Sequence, residues 1–189
     1  MASNIDNTSI DSTYPIAGQD NDSQGFRNNF STIKNNFTAA KSEIETLQTS
    51  TAKLNANNDF LGNEVTGANL TANTEKVYAG GTVVAPQNIS FTNGNYQTFT
   101  IGGNITLTFT DWPDTGKVGK IRLMLLDTLG DSTARTVTWA TAGGGVIKYD
   151  ASFPSPFVVG SNVNPMVLDF WTTDGGTTVY GHYVSTFTW

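Results

Sequence analysis

The 189-residue chain contains no cysteine, which excludes disulfide staples, thiolate catalysis and cysteine-ligated metal sites. Its single histidine, His182, cannot build a histidine-rich metal centre and has no nucleophile beside it in the sequence to suggest a hydrolase triad. Charged residues make up only 14% of the chain, against about a quarter in an ordinary soluble domain. Lys and Arg number 10 against 16 Asp and Glu, a formal net charge of -6. No basic run occurs, so a nucleic-acid partner held through phosphate contacts is not expected. The N-terminus, MASNIDNTSIDSTYPIAGQD, has neither a basic region nor an apolar stretch, and no signal peptide is expected. The longest apolar run, near Ile121–Leu126, is far too short to span a bilayer, so no membrane insertion is expected either.

With charge so scarce, the polar surface must come from Asn, Thr, Ser and Gly. Residues 1–25 show this bias strongly: they carry Asp6, Asp11, Asp20 and Asp22 and no cation. Four apolar residues stand out in this segment, Ile5, Ile10, Tyr14 and Ile16. Such a composition predicts an extended arm that orders only against a partner, with these four as anchors.

At Phe26 the pattern changes. Apolar or small residues fall at Phe26, Phe30, Ile33, Phe37, Ala40, Ile44, Leu47, Thr51 and Leu54, with spacings alternating between four and three. This is a heptad seam with Phe30, Phe37, Ile44 and Thr51 at a and the others at d. The near-repeat Asn28-Asn29-Phe30-Ser31-Thr32-Ile33-Lys34 and Asn35-Asn36-Phe37-Thr38-Ala39-Ala40-Lys41 fixes the register. Ser23 or Asp22 can cap the start. The predicted helix, 26–54, is roughly 45 Å long at 1.5 Å per residue. A lone helix of this kind does not persist in water, so its seam must pack against something. A helix lying on a globular domain shows a wider apolar stripe. Here the flanks carry Lys34, Lys41 and Gln48 on one side and Ser31, Thr38 and Glu45 on the other, which points to self-association. Bulky aromatics at a, with no polar Asn in the seam, favour three strands: a parallel homotrimer.

Residues 55–76, Asn-rich with scattered apolar residues, read as a neck. From Val77 the period changes to two. Strands are predicted at Tyr96–Ile101, Ile105–Phe109, Ile121–Leu126 (central, with Arg122 interrupting it), Arg135–Trp139, Met166–Thr172 and Thr177–Phe187. Gly102-Gly103 reads as a two-residue hairpin turn, and Thr173-Asp174-Gly175-Gly176 joins the last two strands. With no helical pattern between strands, residues 77–189 are expected to form an antiparallel β-sandwich or jelly-roll-like head.

Within this head there are seven Asp residues, 111, 114, 127, 131, 150, 169 and 174, and no Glu. Most sit in turn contexts, where Asp bonds its own backbone; Asp169 lies within a strand. No acid/base pair for glycoside cleavage is evident. Gly143-Gly144-Gly145 lacks the Lys-Ser/Thr of a phosphate loop. The chain is therefore read as non-enzymatic, with no catalytic residue, cofactor or metal. Of its aromatics, Trp139 and Trp171 are expected in the core, while Trp112, in Asp111-Trp112-Pro113 at a strand end, is the candidate receptor contact.

Two stretches resemble phage proteins. The run from Tyr14-Pro15-Ile16-Ala17-Gly18-Gln19-Asp20 through Gly25-Phe26-Arg27-Asn28-Asn29-Phe30 is similar to the start of many virion proteins of contractile-tailed cyanobacterial phages, where it leads into a helix. Asn93-Gly94, Thr106-Leu107-Thr108-Phe109, Arg135-Thr136-Val137-Thr138-Trp139 and Phe170-Trp171-Thr172-Thr173-Asp174-Gly175-Gly176-Thr177-Thr178 are similar, in order and spacing, to a β-domain of phage tail fibres. Val179 stands where the relatives often have Trp. The resemblance implies a virion component made in the host cytoplasm. The arm would dock on other virion proteins through Ile5, Ile10, Tyr14 and Ile16, and the head would meet host-surface glycan. The alternative is an architectural neck, baseplate or capsid decoration protein that touches only virion partners. It implies no catalytic residues.

Overall fold

The structure, a computed structural model, describes residues 3–6, 8–16, 18, 23–161 and 164–188. The chain divides into two compact units, Met1–Ala68 and Asn69–Trp189.

The first unit is built on one helix, α1, Ser23–Ser50. The proposed cap Asp22 lies outside the described residues. Asn, Ser and Thr dominate α1, and these residues compete with helix by bonding nearby backbone. Thr32, Thr38, Thr46 and Thr49 do so within the helix, donating to the carbonyl one turn back at 2.9–3.1 Å. No residue of α1 is buried. The helix stops short of the expected 26–54 span, leaving Thr51 and Leu54 beyond it. The reason is local: the Asn58 side chain takes up Lys53 N at 2.6 Å, Lys53 O at 2.8 Å and Ala56 O at 3.1 Å, bending the chain into a turn. From Thr51 to Lys76 the backbone has turns but no helix or strand.

The described residues before α1 run back along the helix and bond to it through Asn4, Asp6 and Asp11.

The second unit is mostly strand: β1 Val77–Val83, β2 Gln87–Ser90, β3 Tyr96–Ile101, β4 Ile105–Thr110, β5 Gly119–Leu126, β6 Arg135–Thr141, β7 Val146–Tyr149, β8 Val158–Val159, β9 Met166–Thr172 and β10 Thr178–Thr186. They form two sheets, ordered β1-β3-β5-β9-β10-β7 and β2-β4-β6-β8. Successive strands β1 to β6 alternate between the sheets, and each of β1 to β4 pairs in parallel with the strand two places on. The chain therefore coils, one strand of each turn lying in each sheet. Antiparallel pairing enters with β8 on β6, β9 on β5 and the β9–β10 hairpin. The expected all-antiparallel head is thus corrected: the unit is mainly β but largely parallel.

The Gly102-Gly103 hairpin is corrected with it. β3 and β4 lie in different sheets, and neither glycine has the positive φ that a tight hairpin turn demands. What these glycines permit is close approach. A Cβ on Gly102 would lie 2.8 Å from Val84 Cγ1, and one on Gly103 would lie 3.0 Å from Val84 O.

Both sheets turn their apolar residues to one shared core. Phe99, Ile121, Leu123, Leu125, Leu168 and Phe170 come from the larger sheet, and Ile89, Ile105, Leu107, Phe109 and Val137 from the smaller. Phe109 is central, 4.4 Å from Phe170 and stacked at 6.0 Å on Trp139. Alternation along each strand produces this: β3, β4 and β5 bury every second residue. At the edge, β1 shifts register against β3 between Ala79 and Thr82, where Gly81 has φ 71°. Between β5 and β6, buried Arg135 gathers Asp127, Asp131 and the Thr133 carbonyl, bracing the loop.

Candidate functional site

Two surfaces carry chemistry, one in each unit. In the first, α1 displays its seam on one side and receives the N-terminal segment on another. Three helix side chains at seven-residue spacing form the receiving row: Asn29, Asn36 and Glu43. Asn29 accepts from Asp11 N at 3.0 Å and donates back to Asp11 O at 3.0 Å. Asn36 does the same with Asp6, at 2.9 and 2.6 Å. Glu43 accepts from Asn4 N at 2.7 Å and from the Ser3 hydroxyl. Each seven-residue step advances about 10 Å along the helix, and the two Asn side chains each use both polar groups of their amide, whereas Glu43 only accepts.

The segment is shaped for this by two Asx turns. Asp6 accepts from Thr8 N at 2.9 Å and Asp11 from Thr13 N at 2.9 Å, with both threonine hydroxyls adding a bond. Hydrogen bonds from the Ser9 and Thr8 side chains hold the Asp6 carboxyl down to about 2. Those from Thr13 lower Asp11 as well. Both remain anions at any physiological pH.

Of the expected anchors, Tyr14 packs edge-on against Phe26 at 5.1 Å, over Gly25, where a Cβ would meet its ring at 2.5 Å. Ile10 is half-buried, whereas Ile5 and Ile16 stay exposed. Among the seam residues, Ile33 and Ala40 are half-buried, but Phe30 and Phe37 are 67% and 73% exposed, and Ile44 and Leu47 are open as well. A shallow groove along this side is lined by Phe30, Ile33, Lys34, Phe37, Thr38 and Lys41.

In the second unit the outward face of the larger sheet is the functional candidate. Register aligns Tyr96, Arg122, Asp169 and His182 across four strands, and Lys120, Trp171, Tyr180 and Lys148 in the next row. Arg122 forks onto Asp169 at 2.7 and 2.8 Å, and Lys120 reaches the same carboxylate at 3.2 Å. Burial opposes the Asp169 charge, but the bonds from Arg122 and Lys120 outweigh it and keep the carboxyl below its ordinary value. Trp171 stacks on Tyr180 with ring centroids 5.7 Å apart. His182 Nδ1 bonds Asp150, lowering the Asp150 carboxyl, and the backbone bond from Asp150 N to Gly181 O supports this brace at 3.1 Å.

One aromatic assignment changes: Trp171 was expected in the core, but the parity of its strand turns it outward, since Phe170 and Leu168 take the inward positions. Trp112, the candidate receptor contact, is half-buried, its ring packed against the core between Phe91 and Phe109, at 5.8 and 5.7 Å. Its buried indole Nε1 has no hydrogen-bond partner among the described residues. Gly119 and Gly176 form the slot: a Cβ on Gly176 would sit 2.4 Å from Trp112 Cδ1. Trp139 packs with Phe157 and Phe170 as expected.

Among the described residues no group of three or more His, Cys, Asp or Glu is arranged to hold a metal ion, and no helix is long and apolar enough to cross a membrane. No protein-family model, curated protein or solved structure matches this chain.

Proposed function

We propose that this chain is a non-enzymatic structural subunit of a phage particle: a homotrimeric, fibre-like protein held to the virion by its N-terminal segment. Three copies of α1 associate in parallel through Phe26, Phe30, Ile33, Phe37, Ala40, Ile44 and Leu47. The β unit, a two-sheet sandwich in this reading, meets the host surface. The observation that carries the proposal is the open aromatic row of α1, because large apolar side chains on a narrow, otherwise polar helix are unstable in water without a partner. Ile5 and Ile16, still exposed, are the remaining anchors for another virion protein.

In the β unit we place the host contact at Trp171 and Tyr180 rather than at Trp112. Aromatic faces stack on the C–H surface of a sugar ring, and Lys120, Lys148 and the Arg122–Asp169 pair offer hydrogen bonds to hydroxyls nearby. Weak contacts of this kind become firm when three are carried on one stalk.

Sedimentation equilibrium on the full chain should return three times the monomer mass. The protein should be retained on host cell-surface polysaccharide without releasing reducing sugar, and Trp171→Ala should reduce retention. A monomer would remove the fibre reading. Sugar release abolished by Asp169→Asn would make the protein an enzyme. A trimer indifferent to polysaccharide would favour the architectural role.

A further inference from the structure

The heptad positions flanking the a/d seam are occupied unequally. On one flank the g row is Asn29, Asn36 and Glu43 (Ser31, Thr38 and Glu45, expected there, fall at b, away from the seam), and it is taken up by the chain's own N-terminal segment. Thr32 and Ala39, next to that row on the outer side, are half-buried beneath it. On the other flank, the e row consists of Arg27, Lys34, Lys41 and Gln48, all exposed. Lys41 has only a loose, exposed pair with Glu45, at 3.7 Å. The covered flank is thus acidic, through Asp6 and Asp11, while the uncovered flank is basic. The two lie on opposite sides of the same apolar seam.

Resting on the parallel trimer proposed above, we infer that each N-terminal segment is a second layer of the trimer interface, lying in the outer groove between its own helix and the next copy, where its Asp11 and Asp6 face the neighbour's Lys34 and Lys41. In parallel coiled coils the g flank of one helix meets the e flank of its neighbour, five residues further on. Asn29 then faces position 34 of the next copy, and Asn36 faces position 41. Because Asp11 is bonded at Asn29 and Asp6 at Asn36, the two acids arrive at the levels of the two lysines. Threefold symmetry repeats the pairing around the bundle, so every cationic row finds an acidic segment and no edge is left over.

The arrangement also accounts for features that helix packing alone leaves idle. A side-chain amide that accepts from the N–H and donates to the C=O of one residue fixes the height of the segment along the helix, not merely its attachment. The five-residue step from Asp6 to Asp11, each opening an Asx turn, matches the seven-residue step from Asn36 to Asn29. The occupant is therefore a second copy of this chain, which alone supplies the basic row at the same pitch.

The test uses the full chain in sedimentation equilibrium at low and high salt. Lys34→Glu with Lys41→Glu turns two attractions per copy into repulsions. It should raise the trimer dissociation constant on the order of a hundredfold, each exposed pair being worth roughly a factor of two. Adding Asp6→Asn and Asp11→Asn removes the repulsion but not the lost attraction, keeps an oxygen for each Asx turn, and should recover about half of that loss in free energy, roughly a tenfold tightening. The wild-type trimer should weaken as salt rises. A wild-type trimer that tolerates the lysine reversals, or a loss that the asparagine changes do not reduce, overturns this inference and leaves the seam standing. A wild-type monomer overturns the trimer itself.

Discussion

The two units solve the same problem, stabilising a charge-poor chain, in opposite ways. The β unit encloses its apolar residues: Ile89, Leu107, Phe109, Ile121, Leu123 and Phe170 are fully buried. Among the described residues of the helical unit none is fully buried, α1 included. One unit carries its stability inside itself, while the other presents it outward. A chain so divided can be damaged in one half without the other responding, and this contrast can be tested directly.

The largest effect belongs to the open face. Phe37→Asp should abolish assembly altogether, because it places like charges from several copies in an apolar seam. The thermal transition of the β unit should stay where it is, and calorimetry beside sedimentation would separate the two. In the enclosed half, Phe109→Ala should destabilise the β unit by about 3–5 kcal/mol, the range for deleting a buried aromatic. Urea unfolding followed by Trp fluorescence would read this, with the oligomeric state unchanged.

A smaller, more local effect is expected where the N-terminal segment meets α1. Replacing Asn36 by Ala removes two hydrogen bonds to Asp6 and should cost about 1–2 kcal/mol of local protection. Hydrogen exchange should quicken in residues 3–11 while the β strands stay protected. The smallest effect is on pH dependence. Asp169 has a folded-state pKa below its ordinary 3.8, so its contribution is present above that value and is lost as pH falls through the lowered one. The stability gap between wild type and Asp169→Asn should therefore be widest near neutrality and narrow below pH 3.8. A gap that widens in acid would refute the pairing with Arg122 and Lys120.

Much of this was legible in the sequence, and the failures are physically instructive. The strands β3, β4, β5, β6, β9 and β10 were located to within about two residues: β3, β4 and β5 bury every second side chain, while β9, buried almost throughout, shows as a dense apolar run. Pairing was not legible. Whether two neighbouring strands pair or part depends on residues far away, and Gly102-Gly103 serves close packing on Val84 as well as it would serve a turn. The bond ladder between segment and helix was overlooked although its signal was present: Asn29, Asn36 and Glu43 at heptad spacing, facing two Asp-x-Thr steps. Trp171 could have been placed by counting from Asp169, since residues two apart on a strand share a face. Trp112 could not, because its slot is closed by Gly119 and Gly176 from other parts of the chain.

The edges of the two sheets bear on how such heads behave when crowded. An unpaired edge strand is a template on which another molecule can add its own strand. Here the outermost strands are β1 and β7 in one sheet and β2 and β8 in the other. Strand β7 has 4 residues, β2 has 4 and β8 only 2, too short to nucleate much pairing. Strand β1 is longer, but its register breaks at Gly80-Gly81, which interrupts the run of free backbone groups. Copies of this unit brought side by side thus have little edge on which to add strand to strand.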